Sequence, residues 1–185
     1  MSTAPQTIPP PTVSSAAAGP WLPALPASLE ELARLPASEL AALYQQARTP
    51  VLGEMDGPLR GRMLAVPALP RFLAGFLRRF AGWAHFPWRG KTFTARAGGR
   101  GEGINRVFGD ARPRRWFPFD TFVAPSRAGA FDAVQLDYDR PANPRLIRAI
   151  KDEVRELAPG LYLGLAYVVW RGQPRLVLYF GLWRP

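Results

Sequence analysis

The chain contains no cysteine, which excludes disulfides, thiol nucleophiles and thiolate-ligated metals together. It has one histidine, His85. A Ser-His-Asp set needs a histidine with an orienting acid, and a zinc site ordinarily draws on two or more His or Cys ligands. Neither can be assembled, so no metal and no other cofactor is expected. Lysine is nearly absent too: of 24 basic residues only Lys91 and Lys151 are lysines, and the others are arginines. Long apolar runs are missing. The segments "YVVW" (167–170) and "LVLYFGLW" (176–183) fall far short of the ~20 residues that a spanning helix needs, and a soluble protein is expected. The opening "MSTAPQTIPPPTVSSAAAGP" carries no Lys or Arg and no continuous apolar stretch. It does not read as a secretory signal, which makes a cytoplasmic location the expectation. No internal repeat is evident.

Hydrophobic residues make up 48% of the chain and charged residues 21%, a globular composition at a length that suits one domain plus a tail. The net charge of +10 admits a polyanionic partner, either nucleic acid or an acidic membrane surface. The bias to Arg beside so much Ala, Pro and Gly also fits a GC-rich coding sequence.

Residues 1–26 hold seven prolines among Ser, Thr and Ala and bury too little apolar surface to offset the entropy of ordering. They read as a disordered tail, with residues 27–185 as a single barrel domain. Ser28 and Glu31 stand at capping-box spacing and open a helix that Pro36 ends. Ser38 is expected to cap a second helix through about Gln46, with Leu40 and Leu43 inward. Residues 53–67 read as a turn and a short strand. In 69–83, Phe72, Leu73, Phe76, Leu77 and Phe80 form the stripe of an amphipathic helix. From Trp88 the period shifts towards two. Residues 91–97, 104–108, 116–124, 131–139, 161–170 and 174–183 are strand-like runs between Gly, Pro, Asp and Arg breaks. One helix interrupts them: Asn143 caps it, Pro144 takes its first position, and Leu146, Ile147, Ile150, Val154 and Leu157 form its apolar face up to "APG". So many consecutive strands need closure, because open edges invite aggregation. The fold expected is α+β but mainly β: a small antiparallel barrel or half-barrel with N-terminal helices and one helix inserted before the last hairpin.

Four stretches offer chemistry. "RGKTF" (89–93) resembles the end of a phosphate loop, but the residue five before Gly90 is His85 rather than glycine, and the bulky "FPW" between them could not wrap a phosphate. The cluster "GGRGEG" (98–103) opens strand-like sequence instead of a helix and reads as a hairpin tip. In "LDYD", Asp137 and Asp139 share one strand face and Tyr138 takes the other. If the aspartate face lines a barrel, the two acids form a weak catalytic candidate; otherwise they end an exposed strand. Asp152, Glu153 and Glu156 are assigned to surface ion pairs on the inserted helix. Lastly, Arg and aromatic residues interleave between Arg89 and Trp116. That pattern suits bases stacking beside neutralised phosphates, and equally a barrel wall with aromatic residues inside and Arg outside.

The ordered run "GEMDGPLRGRML … FPWRGKTF … GINRVF … FPFDTFV … LDYDRPANPRLIRAIKDEVRELAPGLYLGLAYV … LVLYFGL", roughly residues 53–182, resembles small bacterial domains of the lipocalin-like or GxWxG-like barrel type. The resemblance implies a barrel with an apolar ligand and no known reaction. A haem-binding relative would supply a late histidine as iron ligand, and none follows His85.

Three functional readings result. The first is a non-enzymatic barrel for an apolar or amphipathic, lipid-like small molecule. Phe93, Phe117, Phe119, Tyr138, Tyr162, Tyr167 and Tyr179 would face the cavity, and Arg106 or Arg115 would meet an acidic head group. The second is a nucleic-acid-binding module using residues 89–115. The third is a small barrel enzyme using Asp137 and Asp139.

Overall fold

The computed structural model describes residues 25–67, 88–108 and 112–184. The amphipathic helix expected over 69–83, His85 and nearly all of the Pro-rich tail lie outside the described residues.

Eight antiparallel strands close into an up-and-down barrel in which every strand pairs with its neighbours in sequence and the last pairs with the first. They are β1 (Gly57–Ala65), β2 (Trp88–Arg96), β3 (Arg100–Val107), β4 (Arg114–Pro125), β5 (Asp132–Asp137), β6 (Ile150–Ala158), β7 (Leu161–Trp170) and β8 (Gln173–Trp183). Closure leaves no open edge in the sheet, which is the physical demand that the consecutive strands made on the fold.

Period-two alternation sorts side chains to the two faces of the wall. In β7, Tyr162, Ala166 and Val168 join the barrel interior, while Leu161, Leu163, Leu165 and Tyr167 belong to a second apolar cluster outside it. This strand is buried on both faces, which is why its sequence is apolar almost without a break. The covering elements are helices α1 (Leu29–Leu32) and α2 (Ala37–Gln46), which contribute Leu29, Leu32, Leu40 and Tyr44 to the outer cluster.

The capping box forms one residue displaced. Ser28 Oγ accepts from Glu31 N–H at 3.2 Å, and the Glu31 carboxylate accepts from Ala27 N–H at 2.9 Å. For α2 the cap position is Pro36 rather than Ser38, and Tyr44, not Leu43, is its second buried residue. A proline fits at that end because the first amides of a helix have no partner inside it. Glu153, on the outer face of β6 and fully buried, ties α2 to the barrel. It accepts from Tyr44 OH (3.2 Å), Ser126 Oγ (2.7 Å) and Arg127 N–H (3.0 Å).

A 3₁₀ turn at Leu52–Met55 closes the barrel end where β1 begins. Leu52 and Met55 enter the interior cluster, and Arg184 holds the turn by donating to the carbonyls of Glu54 (2.7 Å) and Asp56 (2.8 Å). The starts of β2, β4, β6 and β8 lie at the opposite end, together with helix α3 (Arg145–Arg148).

The inserted helix is the main point where sequence and structure part. A helix does stand before the last hairpin, but it is confined to Arg145–Arg148, and residues 150–158 form β6 between β5 and β7. Helical spacing of Leu146, Ile147, Ile150, Val154 and Leu157 coexists there with strand alternation. Asp152 and Val154 point inward, and Glu153 and Arg155 outward. Pairing on both sides decides the outcome, because leaving this segment helical would leave β5 and β7 with open edges; tertiary context routinely overrides propensity. Asp152, Glu153 and Glu156 are therefore buried wall residues and not exposed members of a helical ion-pair face. Asn143 does not cap α3 either. Its side-chain amide donates to the carbonyls of Pro118 (2.7 Å) and Tyr138 (2.8 Å), fixing the backbone that carries Tyr138.

Candidate ligand site

Lys91 faces the barrel interior from β2, on the same side as Phe93, and is only 3% exposed. Its cross-strand partner in β3 is Asn105. Tyr138 follows the last residue of β5, and Asp152 is the third residue of β6. These four polar side chains converge. Lys91 Nζ donates to Asn105 Oδ1 at 2.9 Å and to Asp152 Oδ2 at 3.1 Å, and also contacts the Tyr138 hydroxyl. Tyr138 OH donates to Asp152 Oδ2 at 3.1 Å, and Trp88 Nε1 donates to Asn105 Oδ1 at 3.1 Å.

Aromatic rings enclose the ammonium. The centroids of Trp88, Phe119, Tyr138 and Phe180 lie 5.2–5.4 Å from Lys91 Nζ, within cation–π range. Beneath them, Phe93 and Phe119 meet with centroids 5.5 Å apart, and Phe119 and Tyr138 at 5.1 Å. On the side of this cluster remote from the 3₁₀ turn, Trp88, Phe117, Ile150 and Leu178 pack against the interior and remain partly exposed. They form an apolar rim above the polar group.

Burial governs the electrostatics. Loss of water pulls the Lys91 ammonium below its usual range, and the neighbouring Asp152 carboxylate only partly opposes this. Burial pushes the Asp152 carboxyl up, against the opposing pull of Lys91. Tyr138 is raised well above the ordinary phenol range, first by burial and then by the charge of Asp152. Each shift favours the uncharged form, as expected where few waters reach the group. Within this otherwise paired cluster, Asp152 Oδ1 is buried and has no hydrogen-bond partner among the described residues. A buried polar atom without a partner costs about 1–3 kcal/mol, and Asn143 Oδ1 is another such atom among the described residues.

Phe117 contributes a second unusual feature. It has a φ of +56° and falls at the irregularity in the β3–β4 register, between the partners of Ile104 and Asn105. The bulge turns its carbonyl towards Asn105, whose Nδ2 donates to it at 3.3 Å. Backbone strain of this kind is kept where the surrounding structure requires it.

The residues singled out in the sequence fall into three places. Phe93, Phe119, Tyr138 and Tyr162 are interior, and Phe117 is at the rim. Tyr167 and Tyr179 do not face the interior; alternation sends them outward, beneath α1 and α2. Arg106 and Arg115 oppose each other on β3 and β4, on the outer face, because Asn105 and Val107 take the inner positions. They cannot meet a ligand head group inside the barrel. Asp137 and Asp139 are also outside: Asp137 pairs with Lys151, and Asp139 with Arg148 at 2.6 Å. The face of "LDYD" that lines the barrel is the Tyr138 face. The site residues that the sequence reading left out are Lys91, Asn105, Asp152 and Trp88. The available signal was a lysine sharing a strand face with Phe93.

The remaining motifs resolve into structure. Gly90 of "RGKTF" lies in a strand at φ +121°, where the β1 backbone passes so close that an added Cβ would sit 2.1 Å from Leu59 O. Gly98 and Gly99, both at positive φ, turn the β2–β3 hairpin. Arg171 and Gly172, likewise, turn the β7–β8 hairpin. No helix among the described residues is long and apolar enough to cross a membrane. No group of three or more His, Cys, Asp or Glu among them could hold a metal ion.

No protein-family model matches this chain, and no curated protein matches it. Among solved structures it is similar to a crystal structure of a protein from Thermomonospora curvata, at 20% identity and a TM-score of 0.53, over 82% of this chain and 88% of that one. That likeness bears on the fold alone.

Proposed function

We propose that this protein is a non-enzymatic, lipocalin-like barrel that binds a small amphipathic molecule. The polar head of the ligand meets the Lys91–Asp152–Tyr138–Asn105 cluster, and its apolar body lies along Trp88, Phe117, Ile150 and Leu178. The observation that carries this reading is Asp152 Oδ1, which has no partner among the described residues and is held among buried polar groups below an apolar rim. Small barrels can fill themselves with side chains, and Phe93, Phe119 and Phe180 occupy the interior here. The ligand therefore sits at the mouth, above Lys91, and not in a deep hollow. Native mass spectrometry of the purified protein, followed by extraction, tests this. One small molecule per chain is expected. A bare mass, with no rise in melting temperature on adding fatty acids, alcohols or aldehydes, ends the reading.

A second reading concerns the outer face. Arg106 and Arg115 stand directly opposite each other, an arrangement of like charges that destabilises a sheet unless something neutralises it. Beside them, Arg114 lies over Phe108 at 5.7 Å, and Phe108 meets Trp116 at 5.5 Å. Basic and aromatic groups of this kind suit a single-stranded nucleic acid. Affinity for a short oligonucleotide should then fall steeply with salt, by a log–log slope of about −0.7 per neutralised phosphate, and Arg106→Gln/Arg115→Gln should flatten that slope. Binding indifferent to salt would remove this alternative.

A further inference from the structure

Lys91 is held as a reactive amine would be. Its Nζ lies among Asn105 Oδ1, the Tyr138 hydroxyl and Asp152 Oδ2, and four aromatic rings exclude water around it. The second oxygen of the same carboxylate is buried and has no partner among the described residues. The chemistry of the cluster also selects among head groups. A carboxylate or phosphate would bring a second negative charge beside buried Asp152, and an ammonium would face Lys91; each is costly where charges are poorly solvated. A carbonyl enters uncharged and offers an electrophilic carbon to the amine.

We infer that Lys91 is a covalent attachment point: its Nζ condenses with the aldehyde or ketone of an otherwise apolar ligand, and the product is a protonated Schiff base with Asp152 as its counter-ion. This rests on the ligand-binding reading of the barrel mouth given above. The step is a condensation and needs no oxidant or reductant. Asp152 takes a proton from the Lys91 ammonium, leaving a neutral amine, the nucleophilic form of lysine in a desolvated site. The nitrogen lone pair forms the C–N bond, and the carbonyl π electrons move to oxygen. A proton passes from nitrogen to that oxygen, giving a carbinolamine. The Asp152 carboxyl then protonates the hydroxyl, which leaves as one water while the nitrogen lone pair forms the C=N bond. The positive charge of the ammonium reappears on the iminium nitrogen beside the regenerated carboxylate, so the charge of the buried pair is conserved. Asn105 and Tyr138 hold the nitrogen and the carboxylate in register. Burial lowers the Lys91 ammonium and raises the Asp152 carboxyl, and both directions ease the proton transfer with which the step begins.

The chain simplifies the test, because Lys151 and the terminal amine are the only competing primary amines. Full-length protein is incubated with decanal or cinnamaldehyde and sodium cyanoborohydride, which fixes an iminium as a stable secondary amine. One adduct per chain is expected, mapped to Lys91 and formed at least tenfold faster than any on Lys151. Lys91→Arg should abolish it, and Lys151→Arg should not. Decanol, which cannot condense, serves as the non-covalent arm and is read by melting temperature. If decanol raises the melting temperature but decanal leaves Lys91 unmodified, the covalent step is overturned and the binding reading stands. If the alcohol has no effect and Lys91 is unmodified, both fall. Adducts confined to Lys151 or the terminus count against the inference in either case.

Discussion

Replacing Lys91 by methionine should destabilise the barrel by about 3–5 kcal/mol at neutral pH, the usual consequence of removing one partner from a buried ion pair. Against a typical domain stability of about 5–15 kcal/mol, this is a large fraction. Methionine matches the lysine stem in length and fits among Trp88, Phe119 and Phe180, so little of the loss comes from packing. The loss comes from Asp152, left buried beside Tyr138 with no cation in contact. Adding Asp152→Asn to the variant should recover most of the deficit, because no uncompensated charge then remains and Tyr138 still pairs with Asn105 at 3.2 Å.

The two single variants should respond to pH in opposite directions. In Lys91→Met, burial holds the Asp152 carboxyl above its unfolded value, now without the opposing lysine. Its contribution is full below the unfolded carboxyl value and is lost as pH rises through the folded one, so the deficit grows from acid to neutral pH. In Asp152→Asn, burial holds the Lys91 ammonium below its unfolded value. Its contribution is full above the unfolded lysine value and is lost as pH falls through the folded one, so this variant weakens towards acid. Chemical denaturation from pH 5 to 9 reads both slopes. Parallel slopes, or a Lys91→Met midpoint equal to that of the natural protein, would mean that the pair is not charged and buried as described.

Most of the strands are legible because alternation leaves a trace in their sequences. The runs expected at 91–97, 104–108, 116–124, 161–170 and 174–183 all fall within or overlap strands β2, β3, β4, β7 and β8, and the glycine hairpin at 98–99 is where it was expected. β6 was not legible as a strand. Its Lys, Glu, Arg and Leu are good helix formers at helical spacing, and only the need of β5 and β7 for a partner sets it in the sheet. That misreading hid the site, because Asp152 on a helix surface looks like one more solvated acid. Lys91 was obscured differently. In "RGKTF" it stands where a phosphate loop would end, a resemblance that the preceding residues rule out, although Phe93 two residues on shares its strand face. The outward course of Arg106 and Arg115 depends on strand register, and register is set by partners far away in sequence. Sequence periodicity can say that two residues share a face, but not which face is inside.

Gly90→Ala should be the most damaging exchange of a glycine for alanine tested in this barrel, and the reason is geometric. An added Cβ would lie 2.1 Å from Leu59 O and 2.6 Å from Gly61 N, both backbone atoms of β1 that cannot rotate away, and the residue sits at φ +121°. Two costs combine, each of about 1–3 kcal/mol: a side chain in a sparsely populated backbone region, and overpacking against a rigid neighbour. Two other glycines separate them. Gly98→Ala at the hairpin tip carries positive φ with nothing within 4 Å, and should lose about 1–2 kcal/mol from conformation alone. Gly103→Ala lacks the positive φ but would place its Cβ 2.4 Å from the Phe119 ring, so it reports overpacking alone. Denaturant midpoints should rank Gly98→Ala mildest and Gly90→Ala most severe. In Gly90→Ala the strain also passes to the next residue, Lys91, since moving β2 off β1 shifts the amine relative to Asp152. Lys91 should then form its aldehyde adduct more slowly even under conditions where the variant remains folded. A Gly90→Ala variant as stable as Gly98→Ala would mean that β1 and β2 do not approach as closely at Leu59–Gly61 as the barrel requires, and closure between β2 and β8 through β1 would have to be drawn differently.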